Sequence, residues 1–137
     1  MAKPPEMPPD WPPMELDDIL ARVKKERHWT VAEAREAKLW YRRFLWLSYQ
    51  SRGRPISAIS AKSDYLWHGH IVFTRRYRDD CERVFHQFLD HTPGTGRSQR
   101  LTGLQLKRAR ALYVNAFGSA PRDIEMPCYS SPIGPHH

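Results

Sequence analysis

A capping box followed by a long, broadly apolar segment is the feature that most constrains this fold. Thr30 and Glu33 have the spacing at which two side chains satisfy each other's backbone amides at a helix start. Apolar side chains then recur around most of a helix that extends to about Gln50. A helix with so broad an apolar face has to be covered by several neighbours. The pattern therefore predicts a central helix inside a helical core.

Four further segments show helical periodicity, and together they predict an all-α domain with about five helices in a compact bundle around one core. Charges in the first of these helices follow the helix dipole, with acidic residues near its start and basic residues near its end. No segment shows the alternation that would require a strand. The first of these helices is predicted from Met14 to about Arg27, and the second begins at a cap formed by Ser60 or Ser63. The third is predicted from Arg75 to about Asp90, and the last ends at Gly118.

Proline is concentrated toward the two ends of the chain, where it disfavours both helices and strand ladders. Residues 1–13 are therefore predicted to form an extended Pro-rich arm, and residues 119–137 an extended tail. The single helical domain is expected to span residues 14–118, since 137 residues suit one domain with one core. Trp11 is expected to dock on this domain, because a lone exposed Trp is unfavourable.

The charge balance permits binding to nucleic acid or to an acidic protein, because Lys and Arg total 22 against 15 Asp and Glu, a net charge of +7. A basic surface that only aids solubility is the alternative. The predicted anion-binding residues are Arg35, Lys38, Arg42, Arg43, Lys107 and Arg108, with Arg97, Arg100 and Arg110 on the same basic faces.

No apolar run approaches the roughly 20 residues needed to span a bilayer, and the first residues lack a secretory signal's apolar region. The sequence thus predicts a soluble, cytoplasmic protein without a membrane partner. In that compartment Cys81 and Cys128 are expected to be free thiols or ligands rather than a disulfide.

The candidate site is the segment from Asp64 to His91, which is rich in His, Asp and aromatic residues. If this segment stays helical at Gly69, Asp64 and His68 lie one turn apart and form a pair, while His70 faces elsewhere. If the backbone becomes extended at Gly69, His68 and His70 point the same way and can chelate together. The helical alternative is favoured.

A helical hairpin would bring His91, at the far end of the second helix, back toward Asp64. Two imidazoles and a carboxylate suit Zn or non-haem Fe(II). The sequence therefore predicts a metal site with Asp64, His68 and His91 as first ligands and with His70 and Cys81 in reserve. The structural alternative is a buried His–Asp pair in a helical core, with Cys81 as a small buried apolar residue.

One run of residues also carries a family resemblance: Asp64-x-x-Trp67-His68-x-His70-Ile71-x-x-Thr74-x-x-Tyr77-x-x-Asp80-Cys81, followed by His91-x-Pro93. The run resembles the signature of the glycine-rich-domain-containing-protein-like family. The resemblance covers roughly residues 35–95 and implies a compact domain in which Trp67, Tyr77 and Asp80 are structural signature residues. The sequence departs from that pattern at His86, where a small residue is expected, and at Asp90.

Two functions follow as hypotheses. The leading one is a small domain that binds Zn or Fe, with a water-bearing metal able to support hydrolytic or oxidative chemistry. The alternative is a non-enzymatic interaction module, in which the signature residues are structural and the basic faces bind nucleic acid or an acidic protein.

Overall fold

The computed structural model describes residues 2–52, 54–92 and 103–133, and for residues 91–92 and 124–133 it describes the backbone alone. Five helices lie within these ranges, which confirms the prediction of a five-helix domain. The helices are α1 (Asp17–Arg27), α2 (Val31–Gln50), α3 (Ala61–Val72), α4 (Thr74–Phe85) and α5 (Gly103–Phe117).

Helix α2 is the central element of the bundle. Its predicted capping box is present: the Thr30 hydroxyl accepts the Glu33 amide at 3.1 Å, and the Glu33 carboxylate accepts the Thr30 amide at 3.0 Å. Its buried side chains face several elements at once, because α2 packs against α1, α3 and the first strand. The broad apolar face therefore has the role that its sequence predicted.

Three short strands, which the sequence did not predict, form an antiparallel sheet in the order β1–β3–β2. All five residues of the first strand are buried, because helices and its partner strand cover it. A strand that is covered in this way shows no polar–apolar alternation, so its sequence gives no period-two signal. The strands are β1 (Ile56–Ser60), β2 (Phe88–Thr92) and β3 (Ile124–Ile133).

The end of α4 differs from the prediction. The helix was expected to reach Asp90, but it ends at Phe85, and the chain then enters β2. His86 takes the left-handed conformation with φ 58°, which breaks the helical path. A non-glycine residue adopts this conformation uncommonly, although His is among the residues enriched there. The position where the sequence pattern had suggested a small residue is therefore the true helix stop.

A glycine allows α3 to approach α1 closely. A Cβ atom added to Gly69 would lie 2.4 Å from Cγ2 of Val23 and 3.5 Å from Cγ2 of Ile19. Gly69 lies within the helix, as the favoured alternative predicted. Ser60 caps the start of α3, as predicted, since its hydroxyl accepts a hydrogen bond from the Ser63 amide at 3.1 Å.

The N-terminal arm lies against the domain. Trp11 is only 8% exposed and packs against Trp46 with 4.9 Å between ring centroids, so the expectation that Trp11 docks is confirmed. Its indole nitrogen donates to the Arg42 carbonyl at 3.2 Å. The arm is thereby attached to the central helix.

We expect Gly69→Ala to lower the free energy of unfolding by about 1–3 kcal/mol, as overpacking does in a tight interface. Val23 cannot easily move aside, since a β-branched side chain in a helix has one strongly preferred rotamer. Urea denaturation measures the change.

Two further variants control this prediction. Gly103→Ala should not destabilise the fold, because no described atom lies within 4 Å of the added methyl group. Val23→Ala should relieve the clash, so the double variant should lose less stability than the two single changes together. Simple additivity of the two losses would contradict the proposed contact.

Candidate functional site

The centre of the candidate site is His70, in the last turn of α3, which is 1% exposed. Its Nδ1 atom lies 2.7 Å from the Tyr41 hydroxyl, and its Nε2 atom lies 2.8 Å from Oδ2 of Asp80. Tyr41 belongs to α2 and Asp80 to α4. One imidazole thus connects the three helices that surround it.

Burial favours the neutral form of His70. In this form Nε2 donates a hydrogen bond to the Asp80 carboxylate, which leaves Nδ1 to accept a hydrogen bond from the Tyr41 hydroxyl. Burial lowers the pKa of His70 and opposes the effect of Asp80, which would raise it. Burial also raises the pKa of Tyr41 well above its usual value, so this hydroxyl keeps its proton. Both ring nitrogens of His70 are therefore occupied.

Two arginines balance the buried carboxylate. Asp80 accepts a hydrogen bond from Arg83 through Oδ1 at 2.9 Å, and its Oδ2 atom lies 3.9 Å from Nε of Arg76. A buried carboxylate without such partners would be strongly destabilising. Asp80 is therefore a buried, ion-paired member of the core network.

A second chain of hydrogen bonds runs beside the first. The Trp67 indole donates to the Tyr77 hydroxyl at 2.9 Å, and that hydroxyl donates to the Leu89 carbonyl at 2.6 Å. The Tyr77 ring also meets the His70 ring edge to face, with 4.8 Å between centroids. Trp67 and Tyr77 therefore join α3, α4 and β2 inside the core.

Cys81 lies on the buried face of α4 and is 1% exposed. Burial raises the pKa of its thiol to about 11. The thiol is thus protonated at neutral pH, whereas reactive cysteines have a lowered pKa and partial exposure. Cys128 pairs with Ala58 through the backbone of β3, and its side chain is outside the described part.

Asp64 and His68 form the pair that the helical alternative predicted. Their side chains approach to 3.4 Å between Oδ2 and Nε2, and the His68 side chain is 54% exposed. The hydrogen bond that His68 donates to the Asp64 carboxylate raises the pKa of His68. His68 and His70 lie in different environments, one at the surface and one in the core, so they do not form a two-histidine chelate.

Within the described side chains, no group of three or more His, Cys, Asp or Glu residues is arranged to hold a metal ion. The side chain of His91 is outside that part; its backbone pairs with Ser130 in β3. Its predicted approach to Asp64 therefore stays a prediction.

The predicted anion-binding residues divide into two groups. Three of them have partners inside the molecule: Lys38 pairs with Asp17 at 2.7 Å, Arg42 donates to carbonyls of the arm, and Arg43 lies 4.8 Å from the centroids of the Trp40 and Phe117 rings. The others, Arg35, Lys107 and Arg108, are exposed. Arg97 and Arg100 lie outside the described residues.

Sequence reasoning missed Tyr41, Arg76 and Arg83 as partners in the network. Tyr41 stands 29 positions before His70 on a different helix, so no local spacing reveals the contact. For the pair of His70 and Asp80 the sequence did offer a weak signal, because the two residues lie ten positions apart on the two helices of the predicted hairpin.

These features define a small helical protein with a polar network enclosed in its core. The chain belongs to the UCP032817-like family, whose family model matches residues 11–112, about three quarters of its length. The assignment to the glycine-rich-domain-containing-protein-like family was therefore wrong. The residues that suggested it are mainly core residues of a helical hairpin, and such packing constraints are not specific to one family. Neither the curated proteins nor the solved structures contain a match to the chain.

None of the helices in the described part of the chain combines the length and the apolar composition required to cross a membrane.

We expect the contribution of His70 to the stability of the protein to fall as the pH drops from about 7.5 to 5.5, whereas His68, whose pKa is raised, contributes in the opposite direction. Folded His70 has a lowered pKa, so it takes up a proton at lower pH than in the unfolded chain, where its pKa is about 6.5. The unfolded state therefore binds more protons below about pH 6.5, which lowers the free energy of unfolding by up to about 1.4 kcal/mol per pH unit. Urea denaturation at several pH values measures this slope.

His70→Gln should remove this part of the slope and cost about 1–3 kcal/mol at neutral pH, since one buried partner loses its hydrogen bond. His28→Asn is the matched control, because His28 is exposed and Asn tolerates its left-handed φ of 58°. A wild-type slope in His70→Gln would contradict the assignment of a neutral His70.

Proposed function

We propose that this protein is a non-enzymatic interaction module of the cytoplasm, with its signature residues serving the fold. The observation that carries the proposal is the saturation of His70, whose two nitrogens are bonded to Tyr41 and Asp80 inside the core. A general base or a metal ligand needs a free nitrogen that a substrate or an ion can reach. Binding chemistry is then left to side chains at the surface.

The surface that best suits a partner is one side of α5. It combines cations with exposed apolar residues: Leu104 is 57% exposed and Val114 is 39% exposed. The cations pair with no acidic group among the described residues, and they lie within one to two turns of these apolar residues. We call this set the α5 surface; its members are Leu104, Lys107, Arg108, Arg110 and Val114.

An acidic protein segment with apolar side chains fits the α5 surface better than nucleic acid does. Phosphates would engage the cations but would leave Leu104 and Val114 uncovered. An acidic, partly apolar segment engages both, and its charge complements the net charge of +7. Nucleic acid is therefore an outcome of the test rather than the proposed partner.

We expect the triple variant K107E/R108E/R110E to weaken binding of an acidic peptide by about tenfold or more, because reversed charges repel it. The probe is a labelled peptide that alternates Glu with Leu, and fluorescence anisotropy in rising salt gives the affinity. A matched variant, K25E/R75E/R78E, makes the same charge change at exposed positions elsewhere and should retain the binding.

Two outcomes would contradict the proposal. If both triple variants lost the same amount of peptide affinity, binding would depend only on the net charge of the protein and not on the α5 surface. Tighter binding to a single-stranded oligonucleotide than to the peptide, with a steep salt dependence, would identify nucleic acid as the partner.

The second candidate function is a Zn or Fe site that starts from Asp64 and His68, because these two donors already form a pair at the surface. His91 remains the proposed third ligand. A carboxylate and two imidazoles would leave positions open for water.

For this candidate we expect stoichiometric Zn or Fe in untagged protein, measured by elemental analysis, and loss of the metal in His68→Ala. His86→Asn is the control, since His86 is exposed and distant in sequence from the pair. Substoichiometric metal that His68→Ala leaves unchanged would eliminate this candidate.

A further inference from the structure

The hydrogen bonds that the domain donates to its N-terminal arm go to carbonyl oxygens of the arm. Trp46 donates its indole proton to the Pro5 carbonyl at 3.0 Å, and Arg42 donates to the carbonyls of Pro9 at 2.9 Å and Trp11 at 2.6 Å. Arg83 donates to the carbonyl of Pro13. These contacts recognise backbone carbonyls rather than particular side chains. The arm is not fully extended, since the Trp11 amide donates to the Pro8 carbonyl at 3.1 Å and the Met14 amide donates to the Pro12 carbonyl at 2.8 Å. Proline restricts the backbone, so a proline-rich segment loses little conformational entropy when it is held in this way.

One side chain of the arm fills an aromatic pocket. The Trp11 ring lies 4.9 Å from the Trp46 ring, 5.0 Å from the Tyr49 ring and 6.3 Å from the Phe85 ring. A groove with aromatic walls and an indole donor to a prolyl carbonyl uses the same physical elements as known recognition of polyproline segments. We call this set the arm groove; its members are Arg42, Trp46, Tyr49, Arg83 and Phe85.

The arm is hydrogen-bonded along its length, from the Ala2 carbonyl, which accepts from Asn115 at 3.1 Å, to the Pro13 carbonyl, but little of it is buried. Of residues 2–13, only Trp11 and Pro12 are buried, and the remainder are exposed or partly exposed. A cavity of about 580 Å³ lies beside the first described residues of the arm, and its lining includes Ala2, Pro4 and Leu112. This cavity leaves space for additional side chains at that end of the groove.

From these contacts we propose that the arm groove is a recognition site for a proline-rich, Trp-bearing segment of another protein, with the chain's own arm as the resident competitor. The backbone-directed donors and the aromatic pocket make no distinction between a segment in cis and a segment in trans. The tether gives the arm an effective concentration near the millimolar range, so it masks the groove against weak ligands. This inference does not depend on the α5 surface or on a metal.

The test measures binding of a labelled peptide with the sequence of residues 2–16 to the full chain. Trp11→Ala in the chain should raise the affinity for this peptide by about tenfold or more, because the tethered competitor loses its anchor. A peptide carrying the same Trp→Ala change should not bind. Adding Tyr49→Ala to the Trp11→Ala chain should abolish binding, whereas adding Tyr65→Ala should not, since Tyr65 is exposed on α3 and packs under Arg27 instead.

A second variant guards against misfolding of the Trp11→Ala chain. The variant P5G/P8G/P9G keeps the buried Trp11 but makes the arm more flexible. Because a more flexible arm competes less well for the groove, this variant should bind the peptide severalfold more tightly than the wild type. Circular dichroism verifies that each variant is folded.

The proposal is overturned if folded Trp11→Ala and P5G/P8G/P9G bind the peptide no better than the wild type, or if Tyr49→Ala has no effect. It is also overturned if the wild-type chain forms a concentration-dependent dimer that Trp11→Ala abolishes, because the occupant would then be the arm of a second copy. Light scattering after size-exclusion chromatography detects such a dimer.

Discussion

The imidazole of His70 is the point at which three helices depend on one another. An unpaired polar group in this core would cost several kcal/mol, so α2, α3 and α4 have to be placed where Tyr41 and Asp80 reach both nitrogens. Gly69 makes that placement possible, because the absent side chain lets α3 lie close to Val23 on α1. The hydrogen bonds of His70 and the close packing of Gly69 therefore act on the same turn of α3. Both are needed to hold the helices in their relative positions.

Local features of the fold could be predicted from sequence, whereas its tertiary pairings could not. The start of α2 followed from Thr30 and Glu33, and the pairing of Asp64 with His68 followed from their spacing of one helical turn. Each of these signals acts within about one turn of helix. The contact between Tyr41 and His70 spans 29 positions and depends on how helices dock, which no periodicity encodes.

The errors at β1 and at the end of α4 have separate causes. Burial of all of β1 removes the alternation by which a strand is recognised. At the end of α4, the apolar positions of a helix continue into those of β2, and the only break is the left-handed φ of His86. Because His is a less frequent stop residue than Gly, the sequence pattern favoured a longer helix. For the candidate site, the sequence pointed to His70 and Asp80 but not to Tyr41. It named His70 as a reserve metal ligand, whereas both ring nitrogens are hydrogen-bonded inside the core.

The side chain of Arg83 contacts both the network at His70 and the N-terminal arm. Its contribution decides whether the arm can detach without disturbing the network. Arg83 donates both to Asp80 and to the Pro13 carbonyl, but its side chain is 57% exposed. Departure of the arm would remove the hydrogen bond to Pro13 but not the pair with Asp80, which also keeps His70 and Arg76 as partners. The free energy of the arm is concentrated instead in the burial of Trp11 against its aromatic neighbours. The arm can consequently leave its groove while His70 keeps its partners, which is the condition that a self-masked binding surface requires.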